Sequence, residues 1–126
     1  MIAHASIAVS NYQKAKEFFT KALEPLGYKL TSPMDEYKAA GFNDSHSKNT
    51  DFWIGGKDKV VAGHVAFEAK NKDEVDAFYA AAIAAGATDN GKPGFRKDYW
   101  PGYYAAFVHD ADGNNIEAVF YDYNEK

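Results

Sequence analysis

The stretch IAHASIAVSN, residues 2–11, decides the fold, because a related stretch, AGHVAFEAKN, returns at residues 62–71. The two segments align His4 with His64 at an offset of sixty residues. In each copy hydrophobic residues alternate with others, as they do in a half-buried β-strand, and an asparagine able to cap a helix follows. The repeat therefore predicts two copies of one structural unit.

In both copies, an amphipathic helix follows the repeated strand. Apolar residues recur at helical spacing in both copies, namely Ala15, Phe18, Phe19, Ala22, Leu23 and Leu26, and then Val75, Phe78, Tyr79, Ala82 and Ile83. Short β-prone segments come next, at 28–32, 36–42 and 51–54 in the first copy and near Thr88, at 103–109 and at 114–121 in the second. We predict an α+β fold of two βαβββ modules, about 1–57 and about 58–126.

Length and composition narrow the function classes. A chain of 126 residues with 46% hydrophobic residues suits a single domain, residues 1–126. The net charge of −4 contains no basic block, so no nucleic-acid partner is expected. The chain has no cysteine and no apolar run long enough for a membrane span. We expect a cytoplasmic protein without a membrane partner.

Three residues could form a metal site. Period two places His4 and His64 on the strand faces turned away from the helices, so a pseudo-twofold arrangement would aim both imidazoles into one cleft. Glu117, in the segment NNIEAVF, adds a carboxylate on the last strand. Two imidazoles and one carboxylate can bind a divalent metal (Zn, Ni, Mn or Fe) and leave positions open for substrate.

The irregular segment NGKPGFRKDYWPG, residues 90–102, supplies candidate substrate contacts. Arg96 is the only arginine in the chain and could clamp a carboxylate or a phosphate. Tyr99 and Tyr104 belong to an aromatic cluster that could line a pocket, although such residues can equally fill a core or a dimer contact. We predict substrate-binding roles for Arg96, Tyr99 and Tyr104.

With these residues in view, the chain resembles the vicinal oxygen chelate superfamily, which includes glyoxalase I, extradiol dioxygenases, and fosfomycin- and bleomycin-resistance proteins. The resemblance rests on three segments that span nearly the whole chain: IAHASIAVSNYQKAKEFFTKALEPLGY, GHVAFEAKNKDEVDAFYAAAIAAGA and PGFRKDYWPGYYAAFVHDADGNNIEAV. It implies two modules forming an incomplete barrel around a cleft that holds a divalent metal, commonly within a homodimer.

The resemblance also implies roles for individual residues. His4 and His64 match the histidine ligands of the two modules, and Glu117 matches the carboxylate ligand of the final strand. Glyoxalase I has a fourth ligand in the last strand of the first module. Matching the strand ends places Phe52 at that position, whereas matching the hairpins without a gap places Asp51 there.

Two main functions follow from this resemblance. The first is a metal-dependent glyoxalase-like enzyme, of lyase, isomerase or dioxygenase type, that acts on a small oxygen-chelating substrate, with Glu117 as a catalytic proton carrier. The alternative is a metal-free protein that binds a drug or another small molecule, as bleomycin-resistance proteins do. A subunit or regulatory module without a ligand is the third hypothesis.

Overall fold

The predicted pair of βαβββ modules is present in the computed structural model, which describes residues 2–125. The first module contains β1 (Ala5–Val9), α1 (Tyr12–Ala22), β2 (Tyr28–Met34), β3 (Ala39–Asp44) and β4 (Phe52–Gly56). The second contains β5 (His64–Glu68), α2 (Lys72–Ala84), β6 (Thr88–Phe95), β7 (Tyr103–His109) and β8 (Asn115–Tyr121). Short 3-10 turns occupy Glu24–Leu26 and Asp35–Tyr37.

Each module forms its own four-stranded sheet, and the two sheets have the same strand order. The orders are β1-β4-β3-β2 and β5-β8-β7-β6, so that β1 and β5 are edge strands. The first strand of each module pairs in parallel with the last, and the other pairs are antiparallel. Neither sheet closes on itself, which agrees with the predicted incomplete barrel.

Asparagine caps begin both helices, as the repeat predicts. Asn11 accepts a hydrogen bond from the backbone N–H of Lys14 at 3.2 Å, and Asn71 accepts one from Glu74 at 2.8 Å. The Glu74 side chain in turn accepts from the backbone N–H of Lys70 at 2.9 Å. These bonds satisfy N–H groups that the helices leave without internal partners.

The apolar core draws on both modules. Phe19 of α1 packs edge-on against Phe52 of β4, with ring centroids 5.5 Å apart, and Phe52 packs against Phe67 of β5 at 5.1 Å. Ile116 and Ala118 of β8 are fully buried on the helix side of the second sheet. The helices therefore cover one face of each sheet and leave the opposite face for other contacts.

A buried asparagine ties the two modules together. Asn114, just before β8, accepts a hydrogen bond from the backbone N–H of Gly63 at 2.7 Å and donates one to the carbonyl of Ala8 at 3.0 Å. Its side chain also donates to Asp110 at 2.9 Å. One fully buried amide thus joins the end of β1, the start of β5 and the turn before β8.

The structure corrects several predicted boundaries. The first half of the segment predicted to be irregular, up to Phe95, belongs to β6, which pairs with β7 through two register shifts. Residues 36–38, predicted as part of a strand, lie outside β3, whose pairing begins at Ala39. Between residues 2 and 125 no helix is both long and apolar enough to cross a bilayer.

Candidate metal centre

Glu117 lies at the centre of the uncovered face of the second sheet. In β8 it pairs with Ala66 of β5 on one side and with Phe107 of β7 on the other. Its neighbours Ile116 and Ala118 point into the helix-covered core. Although Glu117 faces away from that core, it is only 3% exposed. A carboxylate so buried requires polar or charged partners.

His64 is the first partner of Glu117. Its Nε2 lies 3.2 Å from a carboxylate oxygen of Glu117, and its Nδ1 lies 2.9 Å from the backbone carbonyl of Asn115. A carbonyl oxygen can only accept a hydrogen bond, so Nδ1 carries a proton. Nε2 then either carries a second proton, which makes an ion pair, or turns its lone pair toward the carboxylate. The second arrangement requires a cation between the two groups.

Tyr103 is the second partner of Glu117, and the sequence did not single it out as a site residue. Its hydroxyl donates a hydrogen bond to the other carboxylate oxygen. Burial, followed by this hydrogen bond, raises the pKa of Tyr103 well above its ordinary value, so the phenol stays protonated. The hairpin register could have revealed it, because Tyr103 and Phe107 share a face of β7 and Phe107 pairs with Glu117.

His4 does not form a three-ligand cluster with His64 and Glu117 within the described residues. It precedes β1 on the uncovered side of the first sheet and borders a cleft with Ser6, Trp53 and Gly55. It also borders a second cleft, of about 440 Å³, which His64 lines as well. Within the described part of the chain, no three His, Asp or Glu side chains are grouped closely enough to hold a metal ion. One chain therefore brings together two of the three predicted ligands.

The position that corresponds to Glu117 in the first module is occupied by Trp53. Ser6 of β1 pairs with Trp53 of β4, just as Ala66 of β5 pairs with Glu117 of β8. Matching the strand ends, which gave Phe52, was therefore wrong by one residue. Matching the hairpins, which gave Asp51, was wrong by two. Phe52 is buried in the core, and Asp51 accepts a hydrogen bond from the Tyr28 hydroxyl at 3.1 Å. An indole therefore lies at the first-module position that corresponds to Glu117.

Arg96 lies on the same face of the second sheet as Glu117. Its guanidinium carbon is 5.3 Å from the centroid of the Phe107 ring. Tyr99 is 61% exposed, and its ring packs edge-on against Tyr103 with centroids 5.0 Å apart. Arg96 and Tyr99 thus lie on the Glu117 face of the sheet, Arg96 against Phe107 and Tyr99 against Tyr103.

Tyr104 lies on the opposite, helix-covered face of the second sheet. Its hydroxyl donates to Asp76 of α2 at 2.7 Å, and its ring packs edge-on against Phe95. Because successive residues of a strand point to opposite faces, Tyr103 and Tyr104 cannot both line the same site. The structure separates Tyr104 from the other predicted substrate contacts and places Tyr103 beside Glu117 instead.

Comparison with known proteins identifies the family. A sequence profile described as the Glyoxalase/Bleomycin resistance protein/Dioxygenase superfamily matches residues 1–118. The chain belongs to this superfamily. Its description names both enzymes and a drug-resistance protein, so membership supports the fold and does not by itself define the activity.

Solved structures of the superfamily match nearly the whole chain. A glyoxalase/bleomycin resistance protein from Albidiferax ferrireducens has 26% identity and a TM-score of 0.77, covering 94% of this chain and 96% of that one. A glyoxalase/bleomycin resistance protein/dioxygenase family enzyme from Burkholderia phytofirmans has 16% identity and a TM-score of 0.69, with coverage of 96% and 98%. No curated protein matches the chain.

Proposed function

We propose that the protein is a divalent-metal-dependent enzyme, of lyase, isomerase or dioxygenase type, acting on a small substrate that offers vicinal oxygens. The observation that carries this proposal is the pairing of His64 Nε2 with the buried Glu117 carboxylate at 3.2 Å. When bound, a divalent cation would supply Lewis acidity toward the substrate oxygens. His4, His64 and Glu117 are the proposed ligands.

The geometry of the pair fits a metal ion. Ligand atoms about 2.1 Å from one cation, at an angle of about 90° to 110°, lie about 3.0 to 3.4 Å apart. The separation of 3.2 Å between His64 and Glu117 falls in that range. With the Nδ1 proton of His64 donated to the backbone carbonyl of Asn115, the Nε2 lone pair would be free to bind a cation placed between it and the carboxylate. This is the hydrogen-bond support that histidine ligands commonly have.

We propose that a second copy of the chain supplies His4. His4 is exposed on the uncovered side of the first sheet, and the described residues hold no three-ligand cluster in one chain. β1 and β5 are edge strands whose free edges allow one chain to associate with another. A homodimer could place the first module of one copy against the second module of the other and create two equivalent sites.

Within this proposal Glu117 has a second role as the proton carrier. One of its oxygens faces His64, and the other accepts from Tyr103. A carboxylate held in this way can take a proton from a substrate carbon or water while Tyr103 limits its movement. We also propose that residues 1–126 act as one domain and that the protein works in the cytoplasm.

A metal-free binding protein is the second candidate, and one observation favours it. The same distance between His64 and Glu117 suits a protonated imidazole paired directly with the carboxylate. Nearby, the Trp100 ring stacks on Tyr121 at 5.9 Å with an interplanar angle of 11°, which offers a surface for planar ligands. In that case the pair would need no metal.

Metal analysis of untagged protein separates the two candidates. After reconstitution with Mn, Fe, Ni or Zn, the enzyme hypothesis predicts close to one metal ion per chain. The variants His4→Ala, His64→Ala and Glu117→Gln should each weaken binding by about 100-fold or more, which exceeds the loss typical of supporting residues. His46→Ala is the matched control, because His46 is an exposed loop residue. Reconstituted wild-type protein that stays free of metal would overturn the proposal.

Mixing two inactive variants tests whether the site is shared. In a mixed dimer, one chain carries His4→Ala and the other carries Glu117→Gln. If the sites are shared, one site keeps all its ligands and the other lacks both the histidine and the glutamate. Metal binding should therefore recover in the mixture to about one ion per mixed dimer. No recovery, with mixed dimers present, would contradict the shared site. Assays for glutathione-dependent isomerisation, aromatic ring cleavage and thiol transfer to epoxides would then identify the reaction type.

A further inference from the structure

We infer that Arg96 binds an anionic group of the substrate. The substrate class is then a small oxyacid that bears a carboxylate or a phosphate. The Arg96 guanidinium lies on the same face of the second sheet as the candidate metal centre. The Arg96 guanidinium lies over the ring of Phe107, and Phe107 pairs directly with Glu117 across β7 and β8. Cross-strand neighbours on one face lie roughly 5 to 8 Å apart. In this inference one small ligand contacts both the metal centre and the guanidinium.

The guanidinium is held in one orientation before any ligand binds. Its Nη1 donates to the carbonyl of Gly94 at 2.8 Å, and its Nη2 donates to the carbonyl of Lys92 at 2.7 Å. The Phe107 ring supports it from one side. A guanidinium fixed in this way loses little conformational entropy when it binds a planar carboxylate or a phosphate.

Two glycines of β6 make room for this arrangement. A Cβ atom at Gly91 would lie 3.0 Å from Arg96 Nη2 and also 3.0 Å from the Phe107 ring. A Cβ atom at Gly94 would lie 3.4 Å from Nη1. The strand backbone thus approaches the guanidinium as closely as it can, and a side chain at Gly91 would displace it.

The charge of Arg96 has no carboxylate paired with it in the described residues. The ion pairs found between residues 2 and 125 join Lys16 to Asp35, His64 to Glu117 and Lys72 to Asp122. The two groups bonded to Arg96 are neutral carbonyls, which use two of its five N–H donors. A partly buried cation with free donors favours binding of an anion.

Asp89 is the carboxylate whose pKa responds to Arg96, and it has partners of its own. Its pKa is lowered first by the backbone N–H of Gly91 and only last by the charge of Arg96. The bond from Gly91 to Asp89 measures 2.9 Å. Asp89 therefore stabilises the bend of β6 and leaves the Arg96 donors available.

Binding measurements with matched oxyacids test the inference, which rests on the proposed function for the second contact of the substrate. The probes are malate and 3-phosphoglycerate, which carry a distal anion, and lactate and glycerate, which do not. Calorimetry on Mn-reconstituted protein should give about 30-fold tighter binding of the first pair, a factor in keeping with charge-assisted hydrogen bonds. Arg96→Gln should abolish the difference, whereas Arg96→Lys should keep part of it.

Controls separate this inference from the metal proposal. Lys97→Gln removes an exposed neighbouring cation and should leave all four affinities unchanged. Arg96→Gln should also leave lactate binding and metal content unchanged. If the protein binds no metal, the same comparison with malate, 3-phosphoglycerate and inorganic phosphate on metal-free protein still tests Arg96. Equal binding of the probes with and without a distal anion by wild-type protein, or an unaltered preference in Arg96→Gln, would overturn the inference.

Discussion

At the residue scale, the site depends on how one buried carboxylate is satisfied. Glu117 is 3% exposed and has a nitrogen on one oxygen and a phenol on the other. A buried carboxylate needs hydrogen-bond donors or a cation beside it to offset its lost hydration. The two partners therefore decide whether Glu117 is a ligand or an ordinary buried acid.

Replacing Tyr103 with Phe removes the phenol that holds Glu117. The carboxylate should then rotate more freely, and metal affinity should fall about 10-fold, as is typical when a supporting hydrogen bond to a ligand is lost. Competition with a fluorescent chelator measures the change. Tyr99→Phe is the control, because the exposed Tyr99 ring packs against Tyr103 without bonding Glu117. Unchanged affinity in Tyr103→Phe would remove Tyr103 from the site.

The register of β1 and β4 makes a second prediction at this scale. Trp53→Glu places a carboxylate on the uncovered face, at the position that corresponds to Glu117, so the protein should stay folded and bind metal more tightly. Phe52→Glu is the matched variant and should lower the free energy of unfolding by several kcal/mol, because it buries an unpaired charge in the core. Urea unfolding compares them. Similar stability in both variants would contradict the register.

At the element scale, alternation along strands sorts the side chains between the core and the site. Tyr103 and Tyr104 are adjacent in β7, yet one donates to Glu117 and the other to Asp76 of α2. The repeat of strand, cap and helix predicted both modules from the sequence, because period two and period 3.6 are local properties. The parallel pairing of β5 with β8 then brings His64 and Glu117 together.

Other elements could not be predicted from local pattern. β6 has the sequence TDNGKPGF, whose residues disfavour strands, and pairing with β7 overrides that preference. The identity of the residue opposite Ser6 depends on a register that no sequence period determines, so Trp53 was missed. The distance from His4 to the other proposed ligands depends on how the modules associate. The sequence of a single strand does not determine that association.

At the scale of the whole molecule, Asn114 makes a buried polar contact between the modules. Asn114→Ala would leave the backbone N–H of Gly63 and the carbonyl of Ala8 without their partner inside the protein. Loss of such a buried network should lower the free energy of unfolding by about 3 kcal/mol. Chemical denaturation measures this, with Asn115→Ala on the uncovered face as the control. A loss below about 1 kcal/mol would show that Asn114 contributes little to holding the modules together.

Alkaline pH should destabilise the protein through its buried tyrosines. Burial and neighbouring carboxylates raise the pKa of Tyr12 to about 12 and that of Tyr104 to about 12, and Tyr28 is raised further. In the unfolded chain these phenols ionise near their ordinary pKa of 10. Their contribution to stability is therefore complete below pH 10 and declines as pH rises toward 12.

Urea unfolding at pH 9, 10 and 11 tests this expectation. Absorbance at about 295 nm should also show part of the tyrosines ionising only when the protein unfolds. Tyr104→Phe should flatten the decline, whereas Tyr37→Phe, which alters an exposed ring, should not. Stability that stays constant from pH 9 to 11 would contradict the raised pKa values.

The contact of Asn114 with Ala8 has a consequence for how the chain folds. It joins residues 106 positions apart, so the bond closes a loop that spans most of the polypeptide. Loop closure over such a span is entropically costly, and each half can first collapse on its own shorter-range pairings. Docking of the halves is then a late kinetic step, and loss of Asn114 should accelerate unfolding while leaving the refolding rate nearly unchanged.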